Sequence, residues 1–308
     1  MDFLRVSLPY ILAGLSVGGQ YALIAIGYTM VYGILRLINF AHGEVFMIAG
    51  LVMVYLVTVI PWYLALPLTL LVIMVLGFVI ERSAYRPLRG APRISVMISA
   101  IGVSYLLQNL ALYITGGLNK NYPTLPWIAD PINVLGTTIK RVTVITPLLV
   151  LGLVLLLVWL INHTKIGIAM RAVAEDFETS QLMGIKIDHV VSLTFTIGSL
   201  LAAIGSLLYF SNYPGVIPTA GAMPGLKAFI AAVFGGIGSV PGAMLGGFLI
   251  GFVESLIKGM DTILLQIGVL KTPLELATFS DAFTFVLLIL ILIFKPTGLF
   301  GKKTTDKV

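Results

Sequence analysis

The sequence predicts an all-α, polytopic integral membrane protein with about eight or nine transmembrane helices, and three observations carry that prediction. Of 308 residues, 58% are hydrophobic and 10% charged, whereas charged residues make up about a quarter of a soluble domain. No Asp, Glu, Lys or Arg occurs from Val6 to Leu35 or from Val45 to Ile80. The 32 glycines are concentrated inside apolar spans along the whole chain, where small residues let helix backbones approach closely. Cysteine is absent, which removes disulfide and thiolate-metal schemes. His42, His163 and His189 are scattered, so no metal-ligand spacing is present. The net charge of +6 bears on orientation in the bilayer and not on nucleic acid.

A spanning helix needs about 20 apolar residues, and the expected spans lie near 8–35, 40–60, 63–80, 94–115, 142–162, 189–210, 226–235, 241–257 and 280–295. The first follows Arg5 with no small-x-small cleavage site, so it reads as a retained helix. Pro61 and Pro67 mark a tight turn between the second and third spans. The 226–235 segment is too short to cross unaided and reads as re-entrant or broken. Arg82, Arg86, Arg89 and Arg93 against Glu81 place the 81–93 loop in the cytoplasm, together with a tail carrying Lys295, Lys302, Lys303 and Lys307. Counting passages from these points puts the N-terminus outside and favours nine crossings over eight. The 163–188 loop then falls inside. The 116–141 and 258–279 loops fall outside, the former with Lys120, Lys140 and Arg141 against the charge rule.

Gly14 and Gly18, Gly242 and Gly246, and Gly247 and Gly251 stand four apart, the spacing of close helix contacts. The run through Gly235, Gly236, Gly238, Pro241 and Gly242 is a poor helix interior, and the expectation is a break within the membrane. Ala22-Leu23-Ile24-Ala25 echoes Ala228-Phe229-Ile230-Ala231, a hint of an internal repeat of the kind from which transporters are built.

Two polar stretches interrupt the apolar sequence. Asn39, His42 and Glu44 fall within six residues; Asn39 is expected to cap a helix beginning at Phe40, and Glu44 to sit in the first turn, where the helix dipole favours a carboxylate. The cluster reads either as a membrane boundary or as part of a polar pathway, with gating or helix placement as its role. Gln20, Gln108, Asn109 and Glu254 lie in other spans as further candidate cavity walls. The second stretch, Arg171 to Ile185, reads as short helices with Asp176 as an N-cap and Gly184 closing the second. It is a solvated loop or a docking surface for a cytoplasmic partner. No nucleotide-binding glycine loop and no hydrolase arrangement is present, so the chain is not expected to be an enzyme, and any ATP must bind on another subunit.

Several blocks together resemble one family. Tyr21 to Ile34, Ile38 to Val45, Glu81 to Arg89, Met170 to Asp176, Phe234 to Gly242 and Lys295 to Gly301 look like the branched-chain amino acid ABC transporter permeases of the LivH type. The resemblance implies a single permease domain over residues 1–308, with a cytoplasmic coupling loop at 163–188 and a cytoplasmic tail at 296–308. It implies a multi-pass protein of a bacterial inner membrane that passes hydrophobic amino acids such as leucine. The implied partners are a second homologous permease subunit in a heterodimer, two cytoplasmic ATPase subunits that bind the ATP, and a periplasmic amino-acid-binding protein that holds much of the selectivity. No cofactor is expected on this chain. Arg171, Ala172, Ala174, Glu175, Asp176 and Gly184 match the ATPase-coupling segment, and Lys120, Lys140 and Arg141 are candidates for docking the binding protein. Urea, short amides or a sugar remain open as substrates, and a channel or a gradient-driven transporter remains open as a class.

Overall fold

A computed structural model describes residues 2–125, 128–134, 136–270, 272–295 and 297–301, without the side chains of residues 2–5. Lys302, Lys303 and Lys307 of the expected basic tail lie outside the described residues, as does Pro296.

The chain enters through α1 (Asp2–Leu35), and Arg36 then adopts a left-handed φ of 54° that turns it back into the bundle. Residues 36–41 lead into α2 (His42–Val57), which has 16 residues and therefore rises only about 24 Å. Pro61 is the N-cap residue of α3 (Trp62–Ile80), whereas Pro67 lies inside that helix and not in the turn expected of it. Helical structure runs on beyond α3 as a π-turn over Glu81–Tyr85 and a 3-10 turn over Arg86–Leu88, so most of the expected basic loop is a helix extension. Next come α4 (Arg93–Thr115), α5 (Arg141–His163), the short α6 (Lys165–Glu175) and α7 (Phe177–Leu182), and α8 (Ile187–Asn212). The chain closes with α9 (Ala222–Gly235), α10 (Val240–Gln266) and α11 (Ser280–Phe294). Thus α10 extends well into the segment expected to be an outer loop.

Among the described residues, four short strands lie in the connections: β1 (Lys120–Asn121), β2 (Pro131–Val134), β3 (Thr137–Lys140) and β4 (Gly215–Val216). β2 and β3 form a hairpin, and β1 pairs antiparallel with β4, which ties the 116–141 loop to the chain leaving α8. These strands define one end of the bundle, the hairpin end. The opposite, basic end gathers Arg36, the Arg82–Arg93 stretch, α6, α7 and residues 297–301. There Arg36 donates to the Ala174 carbonyl at 3.4 Å, Arg89 bridges buried Glu81 and Asp188, and Leu299 N–H donates to the Phe234 carbonyl at 2.9 Å.

Among the described residues, seven helices are long and apolar enough to cross a membrane. The other two apolar segments, α2 and α9, are half-helices of 16 and 14 residues. Each is preceded by a non-helical approach, residues 36–41 for α2 and 213–221 for α9. The order α1-α2-α3-α4 is then repeated, with every direction reversed, as α8-α9-α10-α11. α1 packs along α10, and its counterpart α8 packs along α3. An inverted repeat of this kind places discontinuous helices at matching points. The Ala22–Ala25 and Ala228–Ala231 echo is a correction here: it falls on α1 and α9, which are not counterparts. The repeat lies in the order of elements and not in those four residues.

The glycine spacings explain the tightest seam. A Cβ on Gly14 would stand 2.9 Å from the Phe252 Cα, and one on Gly18 2.7 Å from the Phe248 Cα, while Gly247 and Gly251 meet Ala22 and Gly18 from the other side. Without a hydrophobic force between helices in lipid, such backbone contact supplies the van der Waals attraction. Gly242 and Gly246 make the equivalent approach to Gly235 and Ala231 of α9.

Candidate functional site

The first turns of α2 and α9 meet inside the bundle. A Cβ on Gly43 would be 2.8 Å from the Gly221 carbonyl oxygen, and one on Gly225 would be 2.8 Å from the Gly43 Cα. Only glycine at these positions allows two helix starts to touch. The contact lies next to Gly27, where a Cβ would collide with the His42 ring. Gly27 is eight residues before the end of α1, about 12 Å into the bundle. Each helix start carries roughly half a positive charge, so two such ends converge here on Glu44. That carboxylate is 5% exposed, belongs to no ion pair among the described residues, and its Oε2 has no hydrogen-bond partner there. Tyr28 packs edge-on against His42 with ring centroids 4.9 Å apart. Asn39 does not cap the helix as expected: α2 begins at His42 with Ala41 as its N-cap residue and no side-chain cap bond, and the Asn39 Oδ1 instead holds the approach to the helix by accepting from Ala41 N–H at 3.2 Å and from the Tyr85 hydroxyl at 2.8 Å.

A second buried cluster lies between α1, α9, α10 and α11. Lys227 Nζ is 2.8 Å from Glu254 Oε1 and 2.6 Å from Asp281 Oδ1. Lys258, one turn along from Glu254, pairs with the same oxygen. The Tyr21 hydroxyl donates to Glu254 Oε2 at 3.0 Å, and Lys227 stands 5.9 Å from the Tyr21 ring centre. A buried charge is tolerated when it is paired and hydrogen-bonded, and every charge here is paired.

The expected site residues therefore divide. Asn39, His42 and Glu44 come together at the half-helix junction, and Glu254 anchors the second cluster. Gln20 is fully buried in α1, and neither atom of its amide has a partner among the described residues. Gln108 and Asn109 are brought to neither cluster. Both sit on α4, and the exposed Asn109 amide donates back to the Tyr105 carbonyl at 2.8 Å. The run at Gly235, Gly236, Gly238, Pro241 and Gly242 does interrupt the helix, but at the basic end, where residues 236–239 join α9 to α10 and the tail packs against Gly236. The breaks inside the bundle are at 36–41 and 213–221 instead. The physical reason is that the glycines here serve a reverse turn and a close α9–α10 contact.

Sequence reading missed Tyr21, Tyr28, Lys227 and Asp281. Lys227 had a usable signal: it is the only charged residue between Val190 and Val253. An ionisable residue in so long an apolar stretch needs a partner.

At the basic end, α5 turns into α6 through an elbow that only glycine permits, since a Cβ on Gly167 would collide with the Leu160 and Ile161 carbonyls. The Thr164 hydroxyl caps α6 by accepting from Gly167 N–H at 3.1 Å. Arg171 reaches back to the Asn162 carbonyl at 3.3 Å, while Ala172 and Ala174 lie on α6 and Glu175 ends it. Asp176 caps α7 by accepting from Thr179 N–H at 2.9 Å. Gly184, with φ of 82°, closes α7, and Ile185 N–H donates to the Ser180 carbonyl at 3.1 Å. The segment is thus a rigid, capped helix pair held to both α5 and α1.

The family of branched-chain amino acid transport system permease components matches residues 10–292. The chain belongs to that family. The high-affinity branched-chain amino acid transport system permease protein BraD of Pseudomonas aeruginosa is 40% identical, with 98% of each chain covered. LivH of Escherichia coli K12, described in the same terms, is 38% identical over 96% of each chain. A ribose import permease, RbsC of Haemophilus influenzae, is 25% identical over 78% of this chain and 74% of its own length. A permease component of an ABC transporter is not itself catalytic, and the seven apolar helices agree with a multi-pass membrane protein.

Proposed function

We propose that this permease passes branched-chain amino acids through an ABC importer, with the junction of α2 and α9 as its moving gate. The observation that carries the reading is the head-to-head contact of two half-helices at Gly43, Gly221 and Gly225, within an inverted repeat. Alternating access in such folds is a rocking of one repeat against the other about a fixed midpoint. A contact made of glycine backbone and one carboxylate can part without breaking an ion pair. Near 40% identity to BraD over nearly the whole chain favours branched-chain amino acids over the ribose of RbsC.

The basic end is assigned to the cytoplasm by its Arg and Lys content, which puts the N-terminus outside and the tail inside. There α6 and α7 are the surface for a cytoplasmic ATPase. A groove of about 660 Å³, lined by Arg86, Arg89, Phe177, Gln181, Ile185 and Asp188, opens beside α7. Motion of an ATPase bound there reaches α5 through the Gly167 elbow and α1 through Arg36. The complex needs a second homologous permease, two ATPase subunits that hydrolyse ATP, and a periplasmic binding protein seated on the hairpin end. On that end Lys140 bonds the Asn212 carbonyl at 2.8 Å, and Arg141 lies 4.0 Å from Asp130. This chain needs no cofactor of its own.

The test is to purify the chain with its co-eluting partners, reconstitute it, and measure ATP hydrolysis and uptake with candidate ligands. Binding protein loaded with leucine, isoleucine or valine is expected to stimulate both. Uptake that persists without ATP, or stimulation by urea, an amide or ribose in place of these amino acids, overturns the proposal.

A further inference from the structure

The Lys227–Glu254 cluster faces a cavity of about 390 Å³, a size within the range of about 300–1,000 Å³ typical of small-ligand sites. One wall is apolar and aromatic, at Val17, Tyr21, Met223 and Pro224, with Tyr209 and Tyr213 toward the hairpin end, while Thr278 and Ser280 add hydroxyls on the α11 side. The charges divide by depth. Lys227 and Glu254 are buried, with side chains 6% and 3% exposed, whereas Lys258 and Asp281 are 47% and 43% exposed at the rim. The rim therefore presents one cation and one anion, each with one ion-pair partner among the described residues, beside the apolar wall of the cavity.

We propose that this cavity is a binding site within the permease for a zwitterionic α-amino acid with an apolar side chain. Lys258 takes the carboxylate, Asp281 takes the ammonium, and the side chain rests among Val17, Tyr21, Met223 and Pro224. The buried pair does not touch the ligand. Lys227 and Glu254 position Asp281 and Lys258 by holding each from below. The cluster's two lysines and two carboxylates sum to zero charge, so a net-charged ligand would leave an uncompensated charge in a poorly solvated site. A zwitterion adds two ion pairs at the rim and leaves the sum at zero. The inference rests on the amino-acid reading of the passage given above and assigns its selectivity to named residues.

The experiment uses the complete complex in nanodiscs, without binding protein, and measures equilibrium binding of radiolabelled leucine. Competition with 4-methylpentanoate, which lacks the ammonium, and isopentylamine, which lacks the carboxylate, tests the two ends of the ligand. Leucine is expected to bind, with both competitors weaker by at least about tenfold, the scale of one charge-assisted contact. Asp281→Asn and Lys258→Gln each weaken leucine binding by about tenfold, while Lys258→Arg keeps it. Both rim positions are half-exposed, so these variants are expected to assemble normally, which complex yield checks. Variants that bind leucine as the unaltered complex does overturn the site, as does a complex that imports leucine with binding protein but binds none without it. A complex that imports no branched-chain amino acid at all removes the underlying functional reading, a result distinct from either of these.

Discussion

Glu44 and Glu254 are both buried acids, 5% and 2% exposed, and the fold holds them in opposite ways. Glu254 accepts from Lys227, Lys258 and Tyr21, so its charge is met by full charges and a hydroxyl. Glu44 has no ion-pair partner among the described residues and lies at two helix starts, so its charge is met by peptide dipoles. An ion pair resists separation, whereas a dipolar contact weakens gradually as two tips part. The first arrangement suits a fixed binding surface and the second suits a junction that must open.

The sharpest way to break this comparison is Lys227→Leu, which leaves Glu254 without its buried partner. It is expected to cost roughly 3–5 kcal/mol, and the double change Lys227→Leu with Glu254→Leu should recover part of that loss in thermal unfolding of the detergent-solubilised complex. A double variant as unstable as the sum of its singles would show that the two do not form one unit. Gly43→Val comes next, because its side chain must force α2 and α9 apart. Overpacking of about 1–3 kcal/mol is expected, together with uptake per assembled complex reduced far more than complex yield. Asn39→Ala removes the acceptor for Ala41 N–H and for Tyr85, and a loss of about 1–2 kcal/mol in the same unfolding assay is expected. Glu44→Gln is the mildest for stability, since no ion pair is broken. It should lower ATP-driven uptake in vesicles while yield and melting temperature stay near those of the unaltered complex. Unchanged uptake in that variant would remove Glu44 from the gate.

Much of the architecture was legible in the residues. The apolar runs located the seven long apolar helices and the two shorter ones, α2 and α9, and the glycine pairs at Gly14, Gly18, Gly247 and Gly251 marked the α1–α10 seam before it could be seen. Asp176 and Gly184 announced the ends of α7 by the chemistry of caps. The half-helices were harder. The 226–235 segment looked short because α9 is short, but α2 was hidden: the apolar run read as a full span over 40–60 includes Phe40, Ala41, Val59 and Ile60, which lie outside a helix that runs only from His42 to Val57. Gly235 to Gly242 was easier to see than the breaks that lie within the bundle, because glycine density signals a turn without giving its depth.

The sequence by itself determined what is local: apolar length, cap chemistry, the small-residue faces and the family blocks, each readable from neighbours along the chain. Only the tertiary structure decided which polar groups meet. Lys227, Glu254 and Asp281 are more than 20 residues apart in sequence, and Gly43 is far from Gly221 and Gly225. Their encounter depends on the reversal of the second repeat against the first. Burial then converts that encounter into energy, because a charge removed from water must find its partner inside the fold.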